Sequence, residues 1–465
     1  MSVHSPLGAT TRNGGFELRS RALGARRAST EARVGMLGLG GLLLTVFVVS
    51  ISAAHTHSLL PESVRLGLPS WLAGPFGSSG FDLGAGGLIS LMVAMFGCYV
   101  VAVRYADRLS GRSVLMTIAA LNALILLAPP LLSTDVFSYQ AYARMWALDG
   151  ANPYLHGPSV ISLDPLYPFI GAKWVGTPTA YGPLFTLLSY VLAPLSIAAS
   201  ALAYKALAAI ASLCCVALLW NAARLRGLDP VRAVAVVGLN PLVVVYGVGG
   251  GHNDLLMLAA VCAGVYAMLQ HRERAGGAMI AVAAGIKLTA GLFLPFAIAS
   301  EIGLGGRRRR RDFLIGAGAA LGLIAIAGIL AFGTGPLHLP ATLEKTQNAG
   351  DWHSIPGFIS TRLGLGEIGH ATGIGLSVVF IGLCLWLLRR VAIGAMDWID
   401  GAGWATLAMI VSAGSLLPWY VAWLLPMVAL CSDRRLWRSG TVITGVVLGI
   451  QLLGYIPHGS SLLGL

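Results

Sequence analysis

RRRRRDFLIGAGAALGLIAIAGILAF, residues 307–332, decides how the rest of the chain is read. Five consecutive arginines lead directly into the apolar run Phe313–Phe332. A bilayer core takes a helix of about 20 apolar residues, and juxtamembrane arginines mark the face that is not translocated. The stretch therefore predicts a membrane-spanning helix with its basic end in the cytoplasm. Composition extends this to the whole chain. Of 465 residues 11% are charged and 56% hydrophobic, against about 25% charged in a soluble domain. The 60 glycines sit inside apolar runs without a fixed period. That placement suits close helix packing in a membrane and excludes a collagen-like or disordered chain.

Other apolar runs alternate with basic groups in the same way. They cover 34–53, 85–103, 113–132, 201–222, 231–248, 254–269, 276–286 and 290–302, then 313–332, 371–388, 403–417, 420–431 and 441–456. Residues 183–198 are apolar but broken by Pro194, with no basic residue after them, and read as a re-entrant or surface-lying helix. The threading gives thirteen spans in one transmembrane domain, 34–465, behind an Arg-rich cytoplasmic tail, 1–33. Arg104, Arg108, Arg112, Arg224, Arg226, Arg272, Arg274, Arg389, Arg390, Arg434, Arg435 and Arg438 all fall on one side. The N-terminus is then inside and the C-terminus outside. The net charge of +12 is thereby explained as orientation, not as nucleic-acid binding. Cys98, Cys214, Cys215, Cys262, Cys384 and Cys431 lie in or beside apolar runs, with no CxxC pair, and read as packing residues.

The outer connections collect the reactive residue types. They hold Ser133-Thr134-Asp135 through Tyr139, Tyr142, Arg144, Asn152-Pro153-Tyr154, Tyr181, Gly251-His252-Asn253-Asp254, Lys287, Gly350-Asp351-Trp352-His353 and Pro418-Trp419-Tyr420. Ionisable groups at the ends of apolar spans are costly and tend to be functional. Asp135 reads equally as a general base and as a helix N-cap, and Asp254 as a cap or a ligand. Lys287 either snorkels to the interface or neutralises an anion. Trp352 with His353, and Trp419 with Tyr420, suit an interfacial aromatic belt or a stacking surface for sugar rings. His55 and His57 stand in the first outer loop without evident partners.

Five segments carry a family resemblance. They are STDVFSYQAYARMWALDGANPY (133–154), TAYGPLF (179–185), NPLVVVYGVGGGHNDLLM (240–257), GIKLTAGLFLP (285–295) and LLPWYVAWLLP (416–426). In these the chain resembles the polyprenol-phosphate-mannose-dependent α-1,6-mannosyltransferases of actinobacterial lipomannan and lipoarabinomannan synthesis, within the GT-C superfamily. The resemblance implies an all-α GT-C bundle whose active site is extracytoplasmic. It implies a polyprenyl-phosphate-mannose donor, a mannan or phosphatidylinositol-mannoside-type acceptor, and inversion at the sugar. Asp135 matches the family's first-loop acid, the base, while the assisting histidine is either His252 or His353. Arg144 and Lys287 stand as partners for the leaving phosphate. Tyr139, Tyr181, His252, Asp254, Trp352, His353, Trp419 and Tyr420 stand as substrate contacts. The first loop lacks a strict Asp-x-Asp, which points to a metal-free mechanism, and no cofactor is implied. The rival reading is a lipid or sugar transporter, but no repeat relates the two halves and the polar groups gather at one surface instead of the midplane.

The topology is testable with reporter fusions. Fusions after Arg226, Arg274, Arg311, Arg390 and Arg438 are expected to report cytoplasm, and fusions near Gly157 and Ala349 the outside. An outside signal at Arg311 would contradict the threading from that point on.

Overall fold

A computed structural model describes residues 12–63, 69–77, 79–303, 306–348 and 352–455. Ala349, Gly350, Asp351 and Ile456 lie outside the described residues, as do residues 1–11 of the N-terminal tail. Among the described residues all regular structure is helical. The helices are α1 (Arg12–Ser52), α2 (Gly84–Arg104), α3 (Gly111–Leu127), α4 (Asp135–Ala147), α5 (Pro183–Tyr190) and α6 (Ile197–Leu225). They continue with α7 (Pro230–Gly238), α8 (Asp254–Leu269), α9 (Glu273–Ile286), α10 (Phe293–Gly303), α11 (Arg307–Phe332) and α12 (Leu339–Asn348). The chain ends with the single turn α13 (Ile355–Gly357), α14 (Gly366–Ala392), α15 (Trp398–Ser412), α16 (Val421–Leu430) and α17 (Arg434–Leu453).

Among the described residues six helices are long and apolar enough to cross a bilayer: α1, α2, α6, α11, α14 and α17. A seventh crossing is available where α7 continues, bent by 49°, into a π-helix at Leu242–Val248. Every apolar run read from the sequence carries a helix, but α3, α8, α9, α10, α15 and α16 are short, and the runs 113–132 and 403–417 leave the helix at Leu127 and Ser412. The outer surface fits lipid. Leu323 and Leu330 of α11, Val378 and Val379 of α14 and Val442 of α17 are more than 60% exposed. Such contiguous apolar surface is not sustained in water, so the chain is a multi-pass membrane protein. Eight-residue α5 spans about 12 Å at 1.5 Å per residue, too little to cross, so 183–198 does not span. The two long connections that the sequence reading expects on the outer side are more structured than loops. The first carries α4, and the second carries α12, α13 and the first turn of α14, which begins at Gly366 instead of Ala371.

The core is assembled through glycines, as lipid offers no hydrophobic drive between helices. A Cβ on Gly277 of α9 would stand 2.3 Å from the Phe313 carbonyl oxygen of α11, and one on Gly316 of α11 would stand 1.9 Å from the Arg274 carbonyl oxygen. At the basic end of this pair Arg274 binds Asp312 at 2.9 Å, and Arg309 binds Glu273 at 2.5 Å. The helices α3 and α9 start beside Arg112 and Arg274 and end near Asp135 and Lys287, while α8 runs the other way, from Asp254 to the turn that carries Arg272. Gly277→Val is expected to separate α9 from α11 and cost about 1–3 kcal/mol or more by overpacking. Thermal unfolding of the purified protein in detergent measures this, and an unchanged midpoint would contradict the close approach.

Candidate active site

The turn before Asp135 is built with strain. After α3 the chain passes through Pro129 and Pro130, and Leu132 takes a left-handed φ of 59°. Such backbone costs of order 1–3 kcal/mol and clusters at functional sites. Leu131 and Leu132 are tied by their N–H groups to the carbonyls of Gly249 and Leu59, at 3.0 and 2.9 Å. Asp135 is then the first residue of α4, and the preceding Thr134 makes no side-chain cap. The Asp135 N–H donates to Ser133 Oγ at 3.2 Å. Its carboxylate is not spent as a cap and turns inward. Tyr181 and Tyr139 hydroxyls lie 3.3 and 3.4 Å from Oδ2 and donate to it. His252 Nδ1 stands 3.2 Å from the same oxygen.

Burial pushes the Asp135 carboxyl up, but the adjoining His252, the Lys287 charge and Ser133 together hold it below the ordinary carboxylate value. It is therefore ionised at neutral pH. Burial, with the nearby Asp135 charge, pushes the Tyr139 and Tyr181 phenols up, so both remain donors.

His252 comes from the turn that follows the π-helix. Gly251 supplies that turn with a φ of 65°, and a Cβ there would strike Val136 at 2.5 Å. π-helical segments recur at functional sites, and this one sets His252 beside α4. The imidazole is fully buried and stacks on Trp419, with ring centroids 3.7 Å apart and planes at 23°. The stack holds the ring beside the carboxylate, and among the described residues neither ring nitrogen completes a hydrogen bond.

Asp254 and Lys287 form the second half. Asp254 opens α8, and Asn253 before it makes no side-chain cap. The Asp254 side chain, 1% exposed, goes to Lys287 Nζ at 2.7 Å and accepts the Trp423 indole N–H at 2.6 Å. Asp254 thus reaches sideways instead of capping its helix. Lys287 follows α9 in extended backbone. Its ammonium stands 5.3 Å from the Trp423 ring, 5.6 Å from Tyr420 and 6.0 Å from Tyr181. Cation–π attraction of this kind adds about 0.5–2 kcal/mol each.

Asp135, Ser138, Tyr181, Lys287, Trp419 and Tyr420 line one small cavity of about 80 Å³. Lys287, Tyr420, Ala180, Leu343 and Gln347 also border a larger cavity of about 640 Å³. That second space runs along Ile374, Val378 and Ile381 of α14 and is mainly apolar. The Ser138 hydroxyl and the Trp419 indole N–H make no hydrogen bond within the described protein.

Of the residues singled out from sequence, Asp135, Tyr139, Tyr181, His252, Asp254, Lys287, Trp419 and Tyr420 meet here. Arg144 does not. It lies in the last turn of α4, and its guanidinium binds Asp164 at 2.8 Å. Trp352 and His353 stack on each other at 3.9 Å, with Arg362 4.6 Å above the indole. Trp352 borders Gly454 at the end of α17, and neither residue lines the two cavities. Between the two histidines the geometry brings His252 to Asp135. Asn253 and Ser138, named from the sequence only as members of the outer segments, belong to the cluster, and so does Trp423, which appeared only within the segment 416–426. A tryptophan in an apolar helix signals an acceptor for its N–H, which was the available hint for Trp423. Among the described residues no three His, Cys, Asp or Glu side chains converge as a metal cluster.

Comparison with known proteins identifies this arrangement. A family profile described as alpha-(1->6)-mannopyranosyltransferase, N-terminal domain, matches residues 33–302. A second, glycosyltransferase family 87, matches residues 179–449. The chain is 28% identical to alpha-(1->6)-mannopyranosyltransferase A of Mycobacterium tuberculosis, over 92% of this chain and 85% of that protein. A probable alpha-(1->6)-mannopyranosyltransferase of Mycolicibacterium smegmatis is 26% identical over 78% of this chain and 72% of its own length. Alpha-(1->6)-mannopyranosyltransferase A of Corynebacterium glutamicum is 31% identical over 39% of this chain and 37% of its own. These matches set the transporter reading aside: the chain belongs to the alpha-(1->6)-mannopyranosyltransferase family and is a membrane-embedded mannosyltransferase.

Proposed function

We propose that the protein moves mannose from a polyprenyl-phosphate-mannose donor to an α-mannan acceptor, with inversion, during lipomannan-type envelope glycan synthesis. The observation that carries this reading is that Asp135 and Lys287 line one small cavity, which shares Lys287 and Tyr420 with a larger apolar one. A prenyl chain suits the larger space, the phosphate suits the ammonium, and the sugar suits the rings between. The acceptor is a mannan or a phosphatidylinositol-mannoside-type glycan. Residues 34–465 act as one domain, with the N-terminus cytoplasmic and the site and C-terminus outside.

The chemistry is a single in-line displacement. The acceptor 6-hydroxyl oxygen attacks the anomeric carbon of the β-linked mannosyl phosphate, and the bond from that carbon to the phosphate oxygen breaks. Asp135 takes the hydroxyl proton, and the lipid phosphate departs carrying the electron pair. Lys287, fixed by Asp254, stabilises the charge that grows on the leaving oxygen. His252 holds the Asp135 carboxylate ionised, with Tyr139 and Tyr181 donating to it. The rings of Tyr181, Trp419 and Tyr420 flank the sugar. Trp352, His353 and Arg144 lie beyond this contact zone.

Three measurements test the proposal, using the purified protein in lipid with labelled polyprenyl-phosphate mannose and a short α-mannoside. Asp135→Asn keeps size and removes the basic oxygen, and is expected to lower transfer about 100- to 10,000-fold while donor binding persists. Near-normal transfer by this variant would remove Asp135 as base. Lys287→Gln keeps a donor for Asp254 but leaves its charge unpaired, so rates are expressed per folded enzyme, and kcat and kcat/KM for the donor should fall together, as for a lost transition-state contact. Unchanged donor kinetics would reduce Lys287 to an anchor.

The third measurement is a pH profile. A base is active when deprotonated, so activity falls as pH drops through its pKa. With the Asp135 carboxyl held below the ordinary carboxylate value, of about 3.9, the acid limb of kcat/KM should lie below that range. His252→Gln leaves the upward push of burial unopposed by the imidazole and should move the limb to higher pH. A limb that stays in place would leave His252 with a packing role only.

A further inference from the structure

Lys205 is 1% exposed in the middle of α6, and among the described residues it has no carboxylate partner. A buried ammonium without a counterion is costly, so its surroundings must supply a comparable return. Its Nζ donates to the carbonyls of Ile125 at 2.8 Å, of Ala128, and of Pro129 at 3.1 Å. These are the last carbonyls of α3 and the turn beyond it. Pro129 has no N–H, so the Ile125 carbonyl loses its i+4 donor and keeps only the Ala128 N–H at 3.3 Å, while the Leu131 and Leu132 N–H groups are given to Gly249 and Leu59. A lysine brings three donors on one atom and places positive charge where the helix dipole favours it.

The same side chain touches the other half of the site. A Cβ on Gly251 would lie 3.3 Å from Lys205 Cγ and 3.4 Å from its backbone nitrogen, as well as against Val136. Val136 follows Asp135, and Gly251 precedes His252. Next to Lys205, Tyr204 packs edge-on against Tyr139 at 5.3 Å. The head of Lys205 therefore holds the turn that delivers Asp135, while its stem and backbone abut the turn that delivers His252.

The geometry points to Lys205 as a positioning residue that sets the register of Asp135 against His252 without touching substrate. The inference rests on the reading of Asp135 as base. Displacing a reacting group by about 1 Å can cost about 100-fold in rate, and among the described residues Lys205 is the cation bound to the carbonyls that lead into the strained Leu132 turn.

The test compares the full-length protein with Lys205→Met and Lys205→Arg, in lipid, with labelled polyprenyl-phosphate mannose and an α-mannoside. Thermal unfolding gives the folded fraction, and rates are expressed per folded enzyme. Lys205→Met is expected to lower kcat about 10- to 100-fold, with donor KM unchanged and the acid limb of the pH profile moved upward as Asp135 slips from His252. Lys205→Arg keeps the cation but cannot centre one atom among three carbonyls, and should show the same changes in smaller degree. Wild-type kcat and pH profile in the folded variants, with only the melting temperature lowered, would overturn the inference. If Lys205→Met does not fold, the folded Lys205→Arg enzyme decides in the same way. A fully active Asp135→Asn enzyme would overturn the base reading and this inference together. An inactive Asp135→Asn beside normal Lys205 variants would overturn this inference alone.

Discussion

The ion pair between Asp254 and Lys287, at 2.7 Å, is the interaction on which the rest of the site depends. Both groups are withdrawn from water at the ends of short helices, where an unpaired charge could not persist. Breaking such a pair from one side costs about 3–5 kcal/mol. Trp423 adds its N–H to the same carboxylate oxygen, so the aspartate is held from two directions and the ammonium is held by the aspartate. The arrangement leaves Lys287 on the wall of the cavity, faced by three aromatic rings, with a single orientation available. Asp254 therefore contributes without needing to touch a substrate itself.

Asp135 is stabilised by a different logic. It has no arginine or lysine in direct contact, only hydroxyl donors, a stacked imidazole and the charge of Lys287 farther off. That combination keeps the carboxylate ionised without occupying it with a strong bidentate partner. A carboxylate paired with arginine would be a poor proton acceptor, and Arg144, in the last turn of the same helix, is held by Asp164. The fold supplies these placements through backbone devices. They are the left-handed Leu132, the π-helix at Leu242–Val248, the positive φ of Gly251, and the glycines that let α9 and α11 touch.

Much of this was legible in the chain. The apolar runs give the helices, because hydropathy acts locally along the sequence. Asp135, His252, Asp254 and Lys287 stand out because each is a polar group at the end of an apolar segment. The choice between cap and catalytic group was not legible. A cap and a base occupy the same first-turn position, and only the direction of the side chain separates them. The partner of Arg144 was hidden for a related reason. Asp164 lies 20 residues away in an irregular segment, where no periodicity fixes which groups meet. Trp352 and His353 share the aromatic character of Trp419 and Tyr420, yet their stack against α17 is decided by tertiary packing alone. Lys205 was invisible for the opposite reason. A lone lysine in an apolar helix reads as an interfacial group until the carbonyls at the end of α3 are seen to take its donors.

The central claim is that the acceptor hydroxyl meets Asp135 while the donor phosphate meets Lys287. A cryo-electron microscopy structure of the protein with an unreactive polyprenyl-phosphonate analogue of the donor and a short α-mannoside addresses this directly. The account predicts the acceptor 6-hydroxyl within about 2.6–3.2 Å of the Asp135 carboxylate. It also predicts the phosphonate against Lys287 and the prenyl chain along α14. An acceptor hydroxyl seated at His353 or elsewhere, with Asp135 remote from both substrates, would contradict it.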